Sequence, residues 1–148
     1  MALIDLVTPE VVKVPLTAKT KMGVLEELTA LLVKANKVDE AGPVLNALLQ
    51  RESLGSTGLE KGIAVPHCKT PRVKTLTLAI GISPDGIDFD ALDGKPSTLF
   101  FCMLAPPDQS GPHIEALSEI ARLTQSQSFC RLLKESQNPE EVVELFRD

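Results

Sequence analysis

Leu99-Phe100-Phe101-Cys102-Met103-Leu104-Ala105 is an unbroken apolar run closed by Pro106-Pro107. A strand that is apolar at every position buries both faces, so this segment reads as a central strand with a layer on either side. Upstream, Leu76, Leu78, Ile80 and Ile82 alternate with Thr75, Thr77, Ala79 and Gly81. That period of two marks a second strand with one heavier apolar face. Pro84-Asp85-Gly86 is expected to end it in a turn, and Asp93-Gly94 to make another.

Around this pair the apolar spacing becomes helical. Val24, Leu25, Leu28, Leu31, Leu32 and Ala35 share one face of a helix capped by Thr17 or Thr20 and stopped near Asn36. Asp39 is the expected cap of a second helix, with Pro43 in its first turn, Val44, Leu45, Leu48 and Leu49 as its stripe, and Gly55 at its end. Beyond the central strand, Gly111-Pro112 open a helix whose expected buried stripe is Ile114, Leu117, Ile120, Ala121 and Leu123. Ser128 to Lys134 is a further helical stretch. Asn138 caps a last helix, with Pro139 at its first position, Glu140 and Glu141 in the first turn, and Val142, Val143, Leu145 and Phe146 docking it. Val11 to Leu16 and Ile63 to Val65 read as brief strands. Interleaved helices and strands predict an α/β fold, a three-layer sandwich with a mixed central β-sheet and helices on both faces. With no repeat, linker or low-complexity tract, residues 1–148 read as a single domain.

Composition narrows the function classes. Apolar residues make up 43% and charged residues 24%, which supports a packed core and argues against disorder. There is no Trp or Tyr and only 5 Phe, so Leu, Val, Ile and Ala must build that core. A net charge of -5 without a basic run argues against nucleic acid as a partner. No apolar stretch approaches the ~20 residues that span a bilayer, so membrane insertion is not expected. Met1 to Pro9 does not read as a secretory signal. Three widely spaced cysteines, Cys68, Cys102 and Cys130, make no disulfide framework, and a reducing cytoplasmic setting is the simplest reading.

Two histidines draw the chemistry together. His67 follows Gly62-Ile63-Ala64-Val65-Pro66, and His113 falls in the first turn of the helix after the central strand. Either alone reads as a surface or hydrogen-bonded structural residue. Together they sit at element ends, near the sheet edge where α/β folds gather their sites. Pro66 sets the approach of the chain to His67, and Gly58 and Gly62 are read as leaving room for a partner surface. A helix N-terminus at His113 favours an anion. A neutral imidazole nitrogen is a nucleophile towards phosphorus and titrates near neutral pH. Upstream stands Arg51-Glu52-Ser53-Leu54-Gly55-Ser56-Thr57-Gly58. Arg51 can fork onto phosphate oxygens, and Ser56 and Thr57 offer hydroxyl donors. The plainer reading of this stretch is a cation at a helix C-terminus followed by a turn.

Arg51-Glu52, Gly55-Ser56-Thr57-Gly58 and Gly62-Ile63-Ala64-Val65-Pro66-His67 resemble the phosphorylation-site signature of the enzyme IIA domain of the fructose–mannitol and nitrogen-regulatory type (EIIA type 2). These domains belong to the phosphoenolpyruvate-dependent sugar phosphotransferase system (PTS). The resemblance runs on through Asp93-Gly94-Lys95-Pro96, the strand ending in Ala105-Pro106, His113-Ile114-Glu115-Ala116-Leu117 and Ala121-Arg122-Leu123, and so covers nearly the whole chain. It implies that His67 is the phosphorylated residue, taking its phosphoryl group from an HPr-like carrier and passing it to an enzyme IIB-like domain. His113 would hold phosphate oxygens or orient His67, and Arg51 would steady the charge in transfer. No metal or other cofactor is implied beyond the transient phosphoryl group. Two positions depart from the family: Cys68 stands where a glycine or other small residue is usual, and Thr70-Pro71-Arg72 replaces an acidic residue.

Other readings compete. Within the family, the chain is either a sugar-uptake component or a regulator whose phosphorylation state controls its binding to other proteins. Outside it, His67, Cys68 and His113, joined by Cys102 or Cys130, would make a metal-binding module, although no pair has ligand spacing. A thiol enzyme would use Cys68 with His113 as base, since adjacent residues on an extended segment point to opposite sides and remove His67 from that role.

Overall fold

The computed structural model describes residues 3–147; Met1 and Ala2, at the start of the segment read for a signal, and Asp148 lie outside the described residues. Short 3₁₀ turns at Leu3–Leu6 and Pro9–Val11 lead into β1 (Val12–Lys13), α1 (Lys21–Lys34) and α2 (Ala41–Ser53). Two short strands follow, β2 (Ile63–Ala64) and β3 (His67–Lys69), and then the two long ones, β4 (Thr77–Ile87) and β5 (Ser97–Ala105). Helices α3 (Ser110–Leu123), α4 (Gln127–Glu135) and α5 (Pro139–Arg147) complete the chain. The sheet order is β1-β4-β5-β2, with β3 also on β5. β4 and β5 are antiparallel and every other pairing is parallel, so the sheet is mixed.

β5 lies inside the sheet, and its residues alternate between two cores. Phe100, Cys102 and Leu104 join α1 and α2 through Val24, Leu25, Leu28, Leu32, Val44 and Leu48. Leu99, Phe101, Met103 and Ala105 face the other way, against Ala116 and Ile120 of α3, Leu133 of α4, and Val142 and Val143 of α5. The expected three layers follow directly: both faces of one apolar strand need a cover. The heavier face of β4, Leu78, Ile80 and Ile82, lies in the second core. Its lighter face lets α1 come close. A Cβ on Gly81 would stand 2.9 Å from both Leu16 methyls and 3.0 Å from a Leu28 methyl.

Several expectations need correcting. Pro84-Asp85-Gly86 does not turn the chain; β4 runs through it to Ile87 with a register shift between Ile82 and Ile87. The irregularity absorbs a proline that cannot donate to the ladder. The second helix starts from Glu40, whose side chain makes no capping bond, and not from Asp39. The stripe of α3 is rotated: His113, Ala116 and Ile120 are its buried residues, while Ile114 is 63% exposed and Ala121 also faces out. Gly58 and Gly62 make no room for a partner. A Cβ on Gly58 would meet the Phe89 carbonyl oxygen at 2.9 Å and the Ala91 Cα at 3.0 Å. One on Gly62, whose φ is +80°, would meet Thr98 Oγ1 at 2.9 Å.

The caps at Thr20 and Asn138 are as expected. Thr20 Oγ1 accepts from Gly23 N–H at 3.0 Å and Asn138 Oδ1 from Glu141 N–H at 2.9 Å. Asn138→Ala removes the acceptor for an N–H of α5, and we expect a loss of about 1 kcal/mol in urea unfolding. Asn138→Asp, which keeps that acceptor, is expected to restore most of it. No helix among the described residues is long and apolar enough to cross a membrane.

Candidate active site

The edge of the sheet beside β5 is made by two short strands laid end to end. β2 pairs Ile63 with Leu99 and Ala64 with Phe100; β3 pairs His67 with Met103, Cys68 with Leu104 and Lys69 with Ala105. Val65 and Pro66 fall between them. Val65 N–H donates to the Thr57 carbonyl at 2.9 Å, and the Val65 carbonyl accepts from His67 Nδ1 at 2.7 Å. A carbonyl can only accept, so His67 carries a proton on Nδ1, and in its neutral form the free electron pair is on Nε2.

His113 reaches the same place from α3. The ring centroids of His67 and His113 lie 5.4 Å apart, with planes at 76°. His113 is only 5% exposed, and its Nε2 has no hydrogen-bond partner. Burial, followed by the nearby His67 and Lys69, holds its imidazolium pKa below the usual histidine value. The pair is therefore one half-buried histidine with a defined tautomer and one buried, neutral histidine.

The other expected residues lie around the preceding loop. Arg51 is in the last turn of α2, and its Nη1 donates to the Gly55 carbonyl at 2.9 Å. The Ser56 hydroxyl donates to the Phe89 carbonyl at 2.8 Å and accepts from Gly58 N–H at 3.0 Å. Thr57 is 2% exposed; its hydroxyl donates to one Glu52 carboxylate oxygen, and its N–H reaches the other at 3.1 Å. Both hydroxyls thus fasten the loop. His67 and His113 are brought together, while Arg51, Ser56 and Thr57 are bonded within the loop that supports the edge.

Two residues of this neighbourhood carried no role in the sequence reading. Glu52 has a side chain 6% exposed, receives the Thr57 bonds, and pairs with Lys21 Nζ at 2.8 Å. Its position within Arg51-Glu52 was visible, but its long-range partner Lys21 was not. Lys69 Nζ donates to Ser110 Oγ at 2.8 Å. The available signal was its spacing two residues beyond His67 on an extended segment, which puts both side chains on one face.

The alternating face also separates His67 from Cys68. Cys68 joins the α1–α2 core, is 6% exposed, and has its thiol pKa pushed up by burial to about 12. Cys102 is driven higher still, first by burial and then by Cys68 and Glu52. Thiols held protonated in this way are poor nucleophiles and poor metal ligands. Among the described residues, no three His, Cys, Asp or Glu side chains converge as a metal site would.

The family model described as "Phosphoenolpyruvate-dependent sugar phosphotransferase system, EIIA 2" matches residues 5–148. The chain is 36% identical over 146 residues to the fructose-specific EIIA component of Haloferax volcanii, covering 98% of this chain and 95% of that one. It is 34% identical over 145 residues to the fructose-specific EIIABC component of Bacillus subtilis, covering 98% of this chain but 23% of that protein's length. Among solved structures, nitrogen regulatory protein IIA-Ntr of Neisseria meningitidis superposes with a TM-score of 0.89 at 31% identity, covering 97% and 98% of the two chains. The mannitol enzyme IIA of Escherichia coli, solved in complex with phosphorylated mannitol enzyme IIB, gives 0.79 at 25% identity, covering 95% and 96%. By sequence and by fold alike, this chain belongs to the EIIA 2 family of the phosphoenolpyruvate-dependent sugar phosphotransferase system.

Proposed function

We propose that the chain is a phosphohistidine carrier that accepts a phosphoryl group on His67 Nε2 from an HPr-like protein and hands it to an enzyme IIB-like partner in the cytoplasm. The observation that carries this reading is the hydrogen bond from His67 Nδ1 to the Val65 carbonyl. It leaves the Nε2 electron pair as the nucleophile, and it stays in place when the ring becomes positively charged on bonding to phosphorus. The Nε2–P bond forms as the donor's N–P bond breaks, and the departing pair remains on the donor nitrogen. No proton has to move, so positioning and electrostatics provide the catalysis. Kept neutral by burial, His113 has an unpartnered Nε2 that, in the tautomer protonated there, offers an N–H to a phosphoryl oxygen. Arg51 lies one helical turn from the supporting loop and meets the incoming charge once its Gly55 contact opens. This route calls on no metal and no cofactor apart from the phosphoryl group itself.

The solved complex of mannitol enzyme IIA with phosphorylated IIB supports an acceptor of the IIB kind. A regulatory role is the second reading, favoured by the higher TM-score to IIA-Ntr, 0.89 against 0.79. The deciding test is intact-mass analysis after incubation with phosphoenolpyruvate, enzyme I and HPr. One acid-labile phosphoryl group, then discharged by an enzyme IIB, is the expected result; no added mass would remove the reading.

His113→Gln is expected to leave His67 phosphorylation detectable and to slow onward transfer. It should also change the pH dependence of stability. The folded-state pKa of His113 lies below the ordinary value of 6.5. Between the two values the unfolded chain binds a proton that the folded chain refuses, so this contribution is complete above 6.5 and falls as the pH drops towards the folded value. Urea unfolding at about pH 7.5 and about pH 5.5 should show a larger acid loss in the wild type than in His113→Gln. Equal losses would mean that His113 is not held neutral.

A further inference from the structure

We propose that Lys69, steered by Ser110 at the start of α3, is a third holder of the phosphoryl group, its ammonium meeting the non-bridging oxygens of the group carried on His67. The inference rests on the reading of His67 as the acceptor.

Strand geometry is the first support. In β3, His67 and Lys69 are two residues apart and project from one face, while Cys68 between them turns into the α1–α2 core. Their partners on β5, Met103 and Ala105, both belong to the core on the α3 side. The Lys69 bond to Ser110 is the second support. Ser110 is the first residue of α3, one turn ahead of His113, so the bond draws the ammonium across the edge towards the turn that carries the second histidine. The site thus converges on a helix of 14 residues whose first-turn N–H groups favour an anion.

Charge is the third support. Among the described residues Lys69, like most of the basic side chains, has no carboxylate within ion-pair distance, so its charge is not already neutralised by a neighbour. Lys69 lies where its charge works against protonation of His113. A cation beside a buried imidazole with an unpartnered Nε2 is an unsatisfied arrangement that a phosphoryl dianion would complete, by accepting from both. During transfer the three non-bridging oxygens keep their charge, the Nδ1 proton stays on His67, and Lys69, an ammonium with three N–H donors, keeps its bond to the Ser110 hydroxyl and gives another N–H to phosphate.

The test is the equilibrium constant for phosphoryl exchange between phospho-HPr and the full chain, read by intact mass from both directions. An equilibrium between free species does not depend on how well the two proteins dock, so a mere surface contact leaves it unmoved. Lys69→Gln should shift it towards phospho-HPr on the order of tenfold, a charge-assisted contact weakened by its exposure. Lys69→Arg should stay within roughly threefold of the wild type, because the charge is kept. Ser110→Ala should shift it in the same direction as Lys69→Gln, by less. Lys69 is exposed, so these variants are expected to fold. An unshifted equilibrium in Lys69→Gln, with or without a slower approach to it, overturns the proposal and leaves His67 as acceptor. A wild-type chain that takes up no phosphoryl group overturns the acceptor reading as well.

Discussion

His67→Ala is expected to gain no mass in the presence of phosphoenolpyruvate, enzyme I and HPr, under conditions where the wild type gains one phosphoryl group. On the proposed function the effect is all-or-none, because the substitution removes the reacting atom, Nε2, and no other group replaces it. His113 is 5% exposed, and Cys68 faces the opposite core. The fold should survive. His67 is half-buried, and its side chain bonds to the Val65 carbonyl, so the loss in stability should be about 1 kcal/mol or less. Circular dichroism and urea unfolding establish that point alongside the mass measurement. Labelling retained at full stoichiometry would move the acceptor to another residue.

Glu52→Ala is expected to be the most damaging single change in the supporting loop, at about 3 kcal/mol in urea unfolding. Its carboxylate accepts from the Thr57 N–H and hydroxyl and from Lys21, whose ammonium also lies 4.7 Å from the Phe89 ring centroid. Removing it leaves a buried hydroxyl and a backbone donor without their acceptor, and leaves the largely buried Lys21 with only its 3.5 Å contact to exposed Asp90. The damage should travel. The Thr57 carbonyl holds Val65 N–H, and the Val65 carbonyl holds His67 Nδ1, so a chain of hydrogen bonds joins Glu52 to His67. We therefore expect slowed phosphoryl uptake by Glu52→Ala even at temperatures where it is fully folded. Glu52→Gln keeps one acceptor and should lose roughly half as much stability. A change below about 0.5 kcal/mol for Glu52→Ala would show that the network carries no stability.

The layers were legible because β4 and β5 state their environment residue by residue. A strand apolar on both faces has only one stable setting, and Leu78, Ile80 and Ile82 set against Ala79 and Gly81 even show which side the helix approaches more closely. Helix α3 was misread for a related reason. His113 occupies an apolar position of its stripe, and treating it as polar rotated the expected face onto Ile114 and Ala121, which lie in solvent. Pro84 and Gly86 signal a turn locally, but pairing of Ile87 with Ser97 outweighs that preference. That the two histidines meet at one end of the sheet was legible from their places at element ends. Glu52 and Lys69 were not, because their partners, Lys21 and Ser110, stand 31 and 41 residues away in the chain, and such pairings exist only once the fold has formed.

The broken edge that presents His67 has a consequence for solubility. An exposed sheet margin is a template on which further strands can assemble. Here the margin is interrupted at Val65-Pro66, and Gly58 pairs across Ala64 in an isolated antiparallel bridge that occupies part of the rest. The opposite margin, β1, is 2 residues long and is followed by Pro15. Neither side offers a run of free backbone donors and acceptors long enough to seed an intermolecular ladder. The interruption that releases the Val65 carbonyl for the imidazole therefore also leaves the margin too broken for copies of the chain to polymerise along it.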